Sequence, residues 1–340
     1  MDRPTKPAAA MELKIFDPRD GSTGSGGAEL LDASVAERGN QWLMYLAGQA
    51  RGYGPPDLYS ASLPARAPLS ATGWQITRDA GGGLAPLAGN ALSATWDRDG
   101  GRHCPAYVKG WDPEKGQWVE RIYYAGAAKN LWGPYTIGYL EWDGNRWVDQ
   151  PQPAFTANEE WEHGSVYEPN LIYHDGKWKM WYVAGSNQEN YLVQGYAESA
   201  DGRNGWSSRV IFAPPEIKMF DFCVRARGDS FDAIFARVWV GKGSPPPETG
   251  LWWCAAATPS GVFAQWSRPV QIMTAEDRGW HSGPWKPSFQ FTDLIAGRAL
   301  VFFDGLYRTG DPGPFPFAFT LGCCEIDLPR SPVCAAGPGL

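Results

Sequence analysis

The chain has 340 residues, a formal charge of −7 and a pI near 5.2, with no run of Lys or Arg interleaved with aromatics. That excludes the electrostatic footprint of a nucleic-acid binder or of a protein held on an anionic membrane. Forty-one Gly, 29 Pro and 18 Trp, without helix-period apolar stripes, favour many short strands joined by tight turns, and the six cysteines follow no C-x-x-C spacing and read as free thiols.

Residues 1–28, with "DGSTGSGG", read as a flexible lead-in. They contain no apolar segment of signal-peptide type, and no stretch of the chain approaches the roughly 18 apolar residues of a membrane span, so a cytoplasmic protein is expected, or a secreted one if a leader has been trimmed. From residue 29 the sequence repeats itself. The units are "DASVAERGNQWLMYLAG" from Asp32, "CPAYVKGWDPEKGQWVERIYYAG" from Cys104, "EPNLIYHDGKWKMWYVAG" from Glu168, "DFCVRARGDSFDAIFARV" from Asp221 and "KPSFQFTDLIAGRALVFFDG" from Lys286. Each starts on a polar residue or Cys, runs through a short apolar strand, turns, and returns as a longer aromatic or aliphatic strand. Four units then reach a turn ending on tryptophan, at Trp74, Trp147, Trp206 and Trp266, and the fifth ends in "FAFTLGCCEIDL" without one.

The starts are separated by 72, 64, 53 and 65 residues, enough for four antiparallel strands and their loops. The expected fold is therefore all-β: a single five-bladed β-propeller over residues 29–330 with a short tail at 331–340. In a propeller the first strand of every blade lines the axis. Asp32, Cys104, Glu168, Asp221 and Lys286 are thus expected to converge on one mouth, whereas as ordinary turn residues they would carry no common chemistry.

Two carboxyl groups facing across a pocket are the minimum equipment for cleaving a glycosidic bond, one activating water or attacking carbon and the other protonating the leaving oxygen. On these residues, and on blade endings such as "ESADGRNGW", the chain resembles the five-bladed propeller glycosidases of glycoside hydrolase families 43, 32, 62, 68 and 130 over residues 29–328. The resemblance implies Asp32 as general base or nucleophile and Glu168 as general acid. It also implies an aspartate on the second blade, where this chain has Cys104. A neutral thiol cannot supply that negative charge, although a thiolate stabilised by Arg102 or His103 could. Alternatively Asp97 or Asp99 reaches in. The "NDPNG" element of the fructosyl-processing families is absent, which argues against sucrose and fructans.

Around this ring, His103, His163 and His281 sit near strand starts, and the spacing of "WEHGSVYE" and "WHSGPWK" places His163 and His281 on one rim. Arg225 and Lys286 add positive charge that either holds a substrate anion, as in a phosphorylase, or pairs with Asp221 or Glu168. Tyr167 and Trp285, each adjacent to a ring residue, are candidate platforms for a sugar face. No cofactor is expected; the metal alternative is a divalent ion, since His with carboxylate or thiolate groups converging on an axis could bind one, and the resemblance implies His281 in the central channel as its candidate. The expected partner is a carbohydrate or a glycosylated small molecule, with oligomeric state left open. Two other functions stand beside hydrolysis: binding without turnover, and an altered chemistry (lyase, transferase or phosphorylase) centred on Cys104.

Overall fold

The computed structural model describes residues 11–49, 55–88, 96–97, 100–127, 129, 133–186, 191–238, 246–308 and 317–329. Asp99 and the expected tail at 331–340 lie outside these residues. The first strand, β1 (Leu13–Phe16), precedes four blades that are contiguous in sequence. Blade 1 is β2 (Glu29–Arg38), β3 (Gln41–Gln49), β4 (Asp57–Ser62) and β5 (Gln75–Ile76). Blade 2 is β6 (Gly101–Asp112), β7 (Gln117–Ala127), β8 (Tyr135–Trp142) and β9 (Trp147–Asp149). Blade 3 is β10 (Val166–His174), β11 (Lys177–Ser186), β12 (Tyr191–Ser199) and β13 (Ser207–Ala213). Blade 4 is β14 (Phe220–Arg227), β15 (Ser230–Arg237), β16 (Gly250–Ala256) and β17 (Val270–Thr274). Blade 5 is β18 (Pro284–Asp293), β19 (Arg298–Arg308) and β20 (Phe317–Asp327), with β1 as its fourth strand.

All neighbours within a blade are antiparallel, and β2, β6, β10, β14 and β18 lie side by side around the axis, β18 returning to β2. The fold is the expected five-bladed propeller. No helix among the described residues is long and apolar enough to cross a membrane.

Local chemistry explains the hairpins. Asp175 and Gly176 both adopt left-handed backbone (φ 50 and 73), the pairing that a two-residue turn between right-twisted strands requires. The tryptophans at the turns into the fourth strands pack backward onto the preceding blade. Trp147 meets Tyr45, Trp206 meets Tyr123, Trp266 meets Trp181 and Trp74 meets Phe302 of blade 5, with ring centroids 5.5 to 6.3 Å apart. Four of the five blade interfaces are covered in this way, and blades 4 and 5 meet through an apolar cluster that includes Ile234, Trp253, Phe289 and Val301, which removes the open faces a lone sheet would leave.

One boundary differs from the sequence expectation. Leu13–Phe16, assigned above to the lead-in, pairs with β20 in the register Leu13↔Cys323, and this explains why the fifth unit lacks its own tryptophan turn and outer strand. The apolar residues of "LKIF" bury against Phe302 and Leu321 instead of remaining in solvent. Nearby, Arg19 donates to the Trp280 carbonyl at 2.8 Å, and Arg278 pairs with Glu12 at 3.0 Å, so the N-terminal segment is tied to blade 5 from both sides.

Candidate functional site

Every blade presents its ring residue by the same device. Asp32, Cys104, Glu168, Asp221 and Lys286 all have left-handed backbone, with φ of 57, 56, 53, 55 and 42. At each of them the pairing of first and second strands shifts register. L-residues other than glycine avoid that region, and a bulge re-aims the side chain it carries. Five strained bulges at equivalent positions are a repeated structural feature, and all five side chains are buried together at the axis.

The ring divides into two groups. In the first, the Lys286 ammonium donates to Glu168 and lies 3.4 Å from Asp221, while Asp221 and Glu168 hydrogen-bond each other. Burial works to raise the Glu168 pKa, but the Lys286 charge and the hydrogen bonds from Asp221 and Cys104 outweigh it, and the carboxyl lies below its ordinary range. Burial, followed by the Glu168 charge, pushes Asp221 well above the ordinary range, so the proton of the pair rests on Asp221. Lys286 loses hydration, but the charges of Glu168 and Asp221 more than restore its protonated form.

In the second group, Cys104 donates its backbone N–H to Asp32 Oδ2 at 2.8 Å, and the Asp32 N–H donates to both oxygens of Asp304 at 2.9 and 3.1 Å. Asp304, buried beside Asp32, is held well above the carboxylate range by burial and by that neighbouring charge, and keeps its proton. Burial, with Asp32 and Glu168 adding to it, likewise pushes the Cys104 thiol up, and burial pushes His103 down. The adjacent pair is therefore a neutral thiol and a neutral imidazole in contact through His103 Nδ1, and the thiolate considered from sequence is not the resting state.

A collar of rings surrounds the ring residues. His103 meets Tyr135 (4.8 Å), Tyr135 meets Tyr167 (5.0 Å), Tyr167 meets Phe220 (6.5 Å), Phe220 meets Trp285 (5.3 Å) and Trp285 meets Phe319 (5.5 Å). Tyr167, buried, and Trp285, half-buried, both belong to this collar. His163 is exposed and ends the short turn Glu160–Glu162.

Four residues considered for the site are placed elsewhere. Arg102 is buried in a structural network, bonded to Asp97 at 2.8 Å and Asp149 at 2.9 Å, because a buried guanidinium needs carboxylate partners on several sides. Asp97 is committed to Arg102 and to the Tyr124 hydroxyl and does not replace Cys104 in the ring. Arg225 donates to the carbonyls of Phe289 and Val224, stitching blade 4 to blade 5 instead of pairing with Asp221 or Glu168. His281 is buried in blade 5, its Nε2 bonded to Glu12 at 2.6 Å and its ring against Trp280 and Phe303, so it shares no rim with His163.

The matched spacing that paired the two histidines hides a different repeat. Trp96, Trp161 and Trp280 stack on second-strand rings (Tyr124, Tyr182 and Phe303) at 5.7, 6.2 and 6.0 Å. Each covers a third-strand glycine, Gly138, Gly195 or Gly322, where an added Cβ would strike the indole within 3 Å. The residue after each tryptophan, Asp97, Glu162 or His281, is buried and bonded across its own blade. Asp304, the partner of Asp32, was also missed; its only signal is an acid inside the apolar run "LVFFDG".

With this geometry in view, the comparisons with solved structures are informative. The chain has the fold of propeller glycoside hydrolases. Zg3597, a family 117 glycoside hydrolase produced by the marine bacterium Zobellia galactanivorans, superposes with a TM-score of 0.61 at 12% identity, over 95% of this protein and 91% of that one. A thermostable family-43 glycoside hydrolase gives 0.59 at 14% identity, over 92% and 96%. The Podospora anserina α-L-arabinofuranosidase PaAbf62A, solved with cellotriose, gives 0.58 at 12% identity, over 95% and 98%. No protein-family model matches the sequence, and no curated protein matches it.

Proposed function

We propose that the chain is a glycoside hydrolase acting at the axial mouth, with Asp32 as general base or nucleophile and the Glu168–Asp221 pair as the source of the proton for the leaving oxygen. The observation that carries this reading is the ring itself: five equivalent left-handed bulges deliver carboxyl groups from blades 1, 3 and 4 to one buried place, beside a collar of aromatic rings. The resemblance gave the acid role to Glu168. Here the proton rests on Asp221, while Glu168 is ionised against Lys286, so donation belongs to the pair, with Glu168 coupling Asp221 to the substrate. In the reaction the glycosidic C–O bond breaks, the departing oxygen takes the proton of the pair, and Asp32 either deprotonates the incoming water or bonds transiently to the sugar carbon. Tyr167 and Trp285 offer ring faces to the sugar. The neighbours' own descriptions as glycoside hydrolases support the carbohydrate substrate.

One observation favours a second reading. Lys286 engages Glu168, and a carboxylate so engaged suits a protein that binds a carbohydrate without hydrolysing it, or that uses transferase, lyase or phosphorylase chemistry. The test is product release from aryl and oligosaccharide pentosides and hexosides, with and without phosphate, in wild type, Asp32→Asn and Glu168→Gln. Turnover abolished in both variants supports hydrolysis, and turnover that requires phosphate moves the assignment to a phosphorylase. Turnover that survives both substitutions overturns the proposal.

A further inference from the structure

The group formed by Asp32, His103 and Cys104 has a composition that glycosidic cleavage does not explain. One ring nitrogen of His103, the Cys104 sulfur and a carboxylate oxygen of Asp32 lie within 4.8 Å of one another. Consecutive residues of a regular strand point to opposite faces, so His103 and Cys104 should not meet. They do because the left-handed backbone at Cys104 and the register shift between His103 and Ala106 turn both side chains toward Asp32. A second observation points to a missing ligand: His103 Nε2 is buried and has no hydrogen-bond partner among the described residues, an expensive state for an imidazole nitrogen.

We propose that Asp32, His103 and Cys104 form a binding site for a zinc-class divalent transition metal at the mouth of the propeller. Thiolate, imidazole and carboxylate together select zinc over magnesium or calcium, which take oxygen ligands only. Three protein ligands leave a fourth tetrahedral position for water or substrate. Binding replaces the thiol proton: the S–H bond breaks, a sulfur–metal bond forms, and one proton is released to solvent. Asp304 accepts from the Asp32 N–H and so fixes the backbone that carries the carboxylate ligand. The candidate expected from sequence, His281, lacks such a set, since its Nε2 is taken by Glu12.

The metal-bound state engages the Asp32 carboxylate that the proposed hydrolysis uses as base or nucleophile, so metal and hydrolysis compete for it; occupancy is read without substrate, which keeps the two tests separate. The full chain, stripped with a chelator, is titrated with zinc against a chromogenic indicator and separately with cobalt(II), following thiolate-to-cobalt charge-transfer absorption. One equivalent of zinc per chain is expected, with a charge-transfer band that disappears in Cys104→Ser. Zinc affinity is expected to fall by more than about 100-fold in Cys104→Ser and in His103→Gln, beyond the roughly 10–100-fold cost of disturbing an outer partner. Circular dichroism of the metal-free variants verifies the fold, and His103→Gln, at a half-buried position, carries the test if Cys104→Ser does not fold. No stoichiometric zinc, a cobalt complex without the thiolate band, or affinity unchanged in the folded variant would each overturn the assignment.

Discussion

The two halves of the axial ring are built on the same backbone bulge yet reach opposite electrostatic outcomes. On the blade 3 to 5 side, Glu168, Asp221 and Lys286 satisfy one another: one negative charge, one shared proton and one positive charge in mutual contact. On the blade 1 to 2 side, no cation faces Asp32 at short range among the described ion pairs, the neighbouring thiol and imidazole are neutral, and a histidine nitrogen is left without a partner. The same φ near 55° therefore fixes where a side chain goes, while its neighbours decide whether it is finished. A closed network is a place to store a proton. An open one is a place to receive a ligand or attack a substrate.

The comparison is broken most severely at Asp221. Asp221→Asn is expected to lower kcat/KM by about 10²–10⁴-fold, the usual worth of a positioned acid, and to remove the alkaline limb of the pH profile, because that limb reports loss of the Asp221 proton at a pH above the ordinary carboxylate range. A pH–rate profile on any substrate found by the panel checks this; an unchanged alkaline limb would place the proton elsewhere.

Lys286→Met strands Glu168 as a buried, unpaired carboxylate and is expected to cost about 3–5 kcal/mol in urea unfolding, whereas Cys104→Ala on the open side costs about 1 kcal/mol. The sign with pH follows from the shifts. Glu168 is depressed below 4.5 in the folded chain, so the stability its pair contributes is fully present above that value and is lost as the pH falls through the folded pKa. Lys286 is raised above 10.5, so its contribution is present below that value and fades as the pH rises through the folded pKa. Asp221 and Asp304 run the other way, their stability contribution declining as the pH climbs from 3.8. The gap between wild type and Lys286→Met is thus expected to narrow on acidification, first above pH 4.5 as Glu168, buried without its ammonium, takes up a proton in the variant, then below pH 4.5 as the wild-type pair is lost, which unfolding curves taken across that range measure. A gap that stays constant would remove the ion pair as its source.

The smallest effect is the control. Trp118, 55% exposed on the hairpin at the far end of β6 and β7, contacts Trp111 and Tyr173 but no ring residue. Trp118→Ala is expected to change stability by no more than about 0.5 kcal/mol and to leave turnover intact.

Much of this was legible because the repeat is written in residue types that survive translation into backbone. All five ring residues are identifiable as the first polar residue or cysteine before each apolar strand, and four tryptophans mark the turns into the outer strands. What was not legible depends on spacing that drifts. Asp97, Glu162 and His281 are structural equivalents, yet they stand seven, six and five residues before their ring positions, so a fixed offset pairs His163 with His281 and misses the buried set. The partnering of Arg102 with Asp149, and of Asp32 with Asp304, joins residues far apart in sequence that only the closed fold brings together. Protonation was equally hidden, since Asp221 and Glu168 look alike as letters and differ through burial and the position of one ammonium group.

Strand β1 gives this closure a further meaning. Leu13 pairs with Cys323, and the Asp32 N–H donates to Asp304, so the axial ring and the seam of the propeller are joined by contacts between segments far apart in sequence. Lys286 enters the ring only with blade 5, and β1 finds its partner only in β20, more than 300 residues later in sequence. The complete axial ring therefore exists only where blade 5 is present, and its completion and the closing of the circle by β1 and β20 are one structural event.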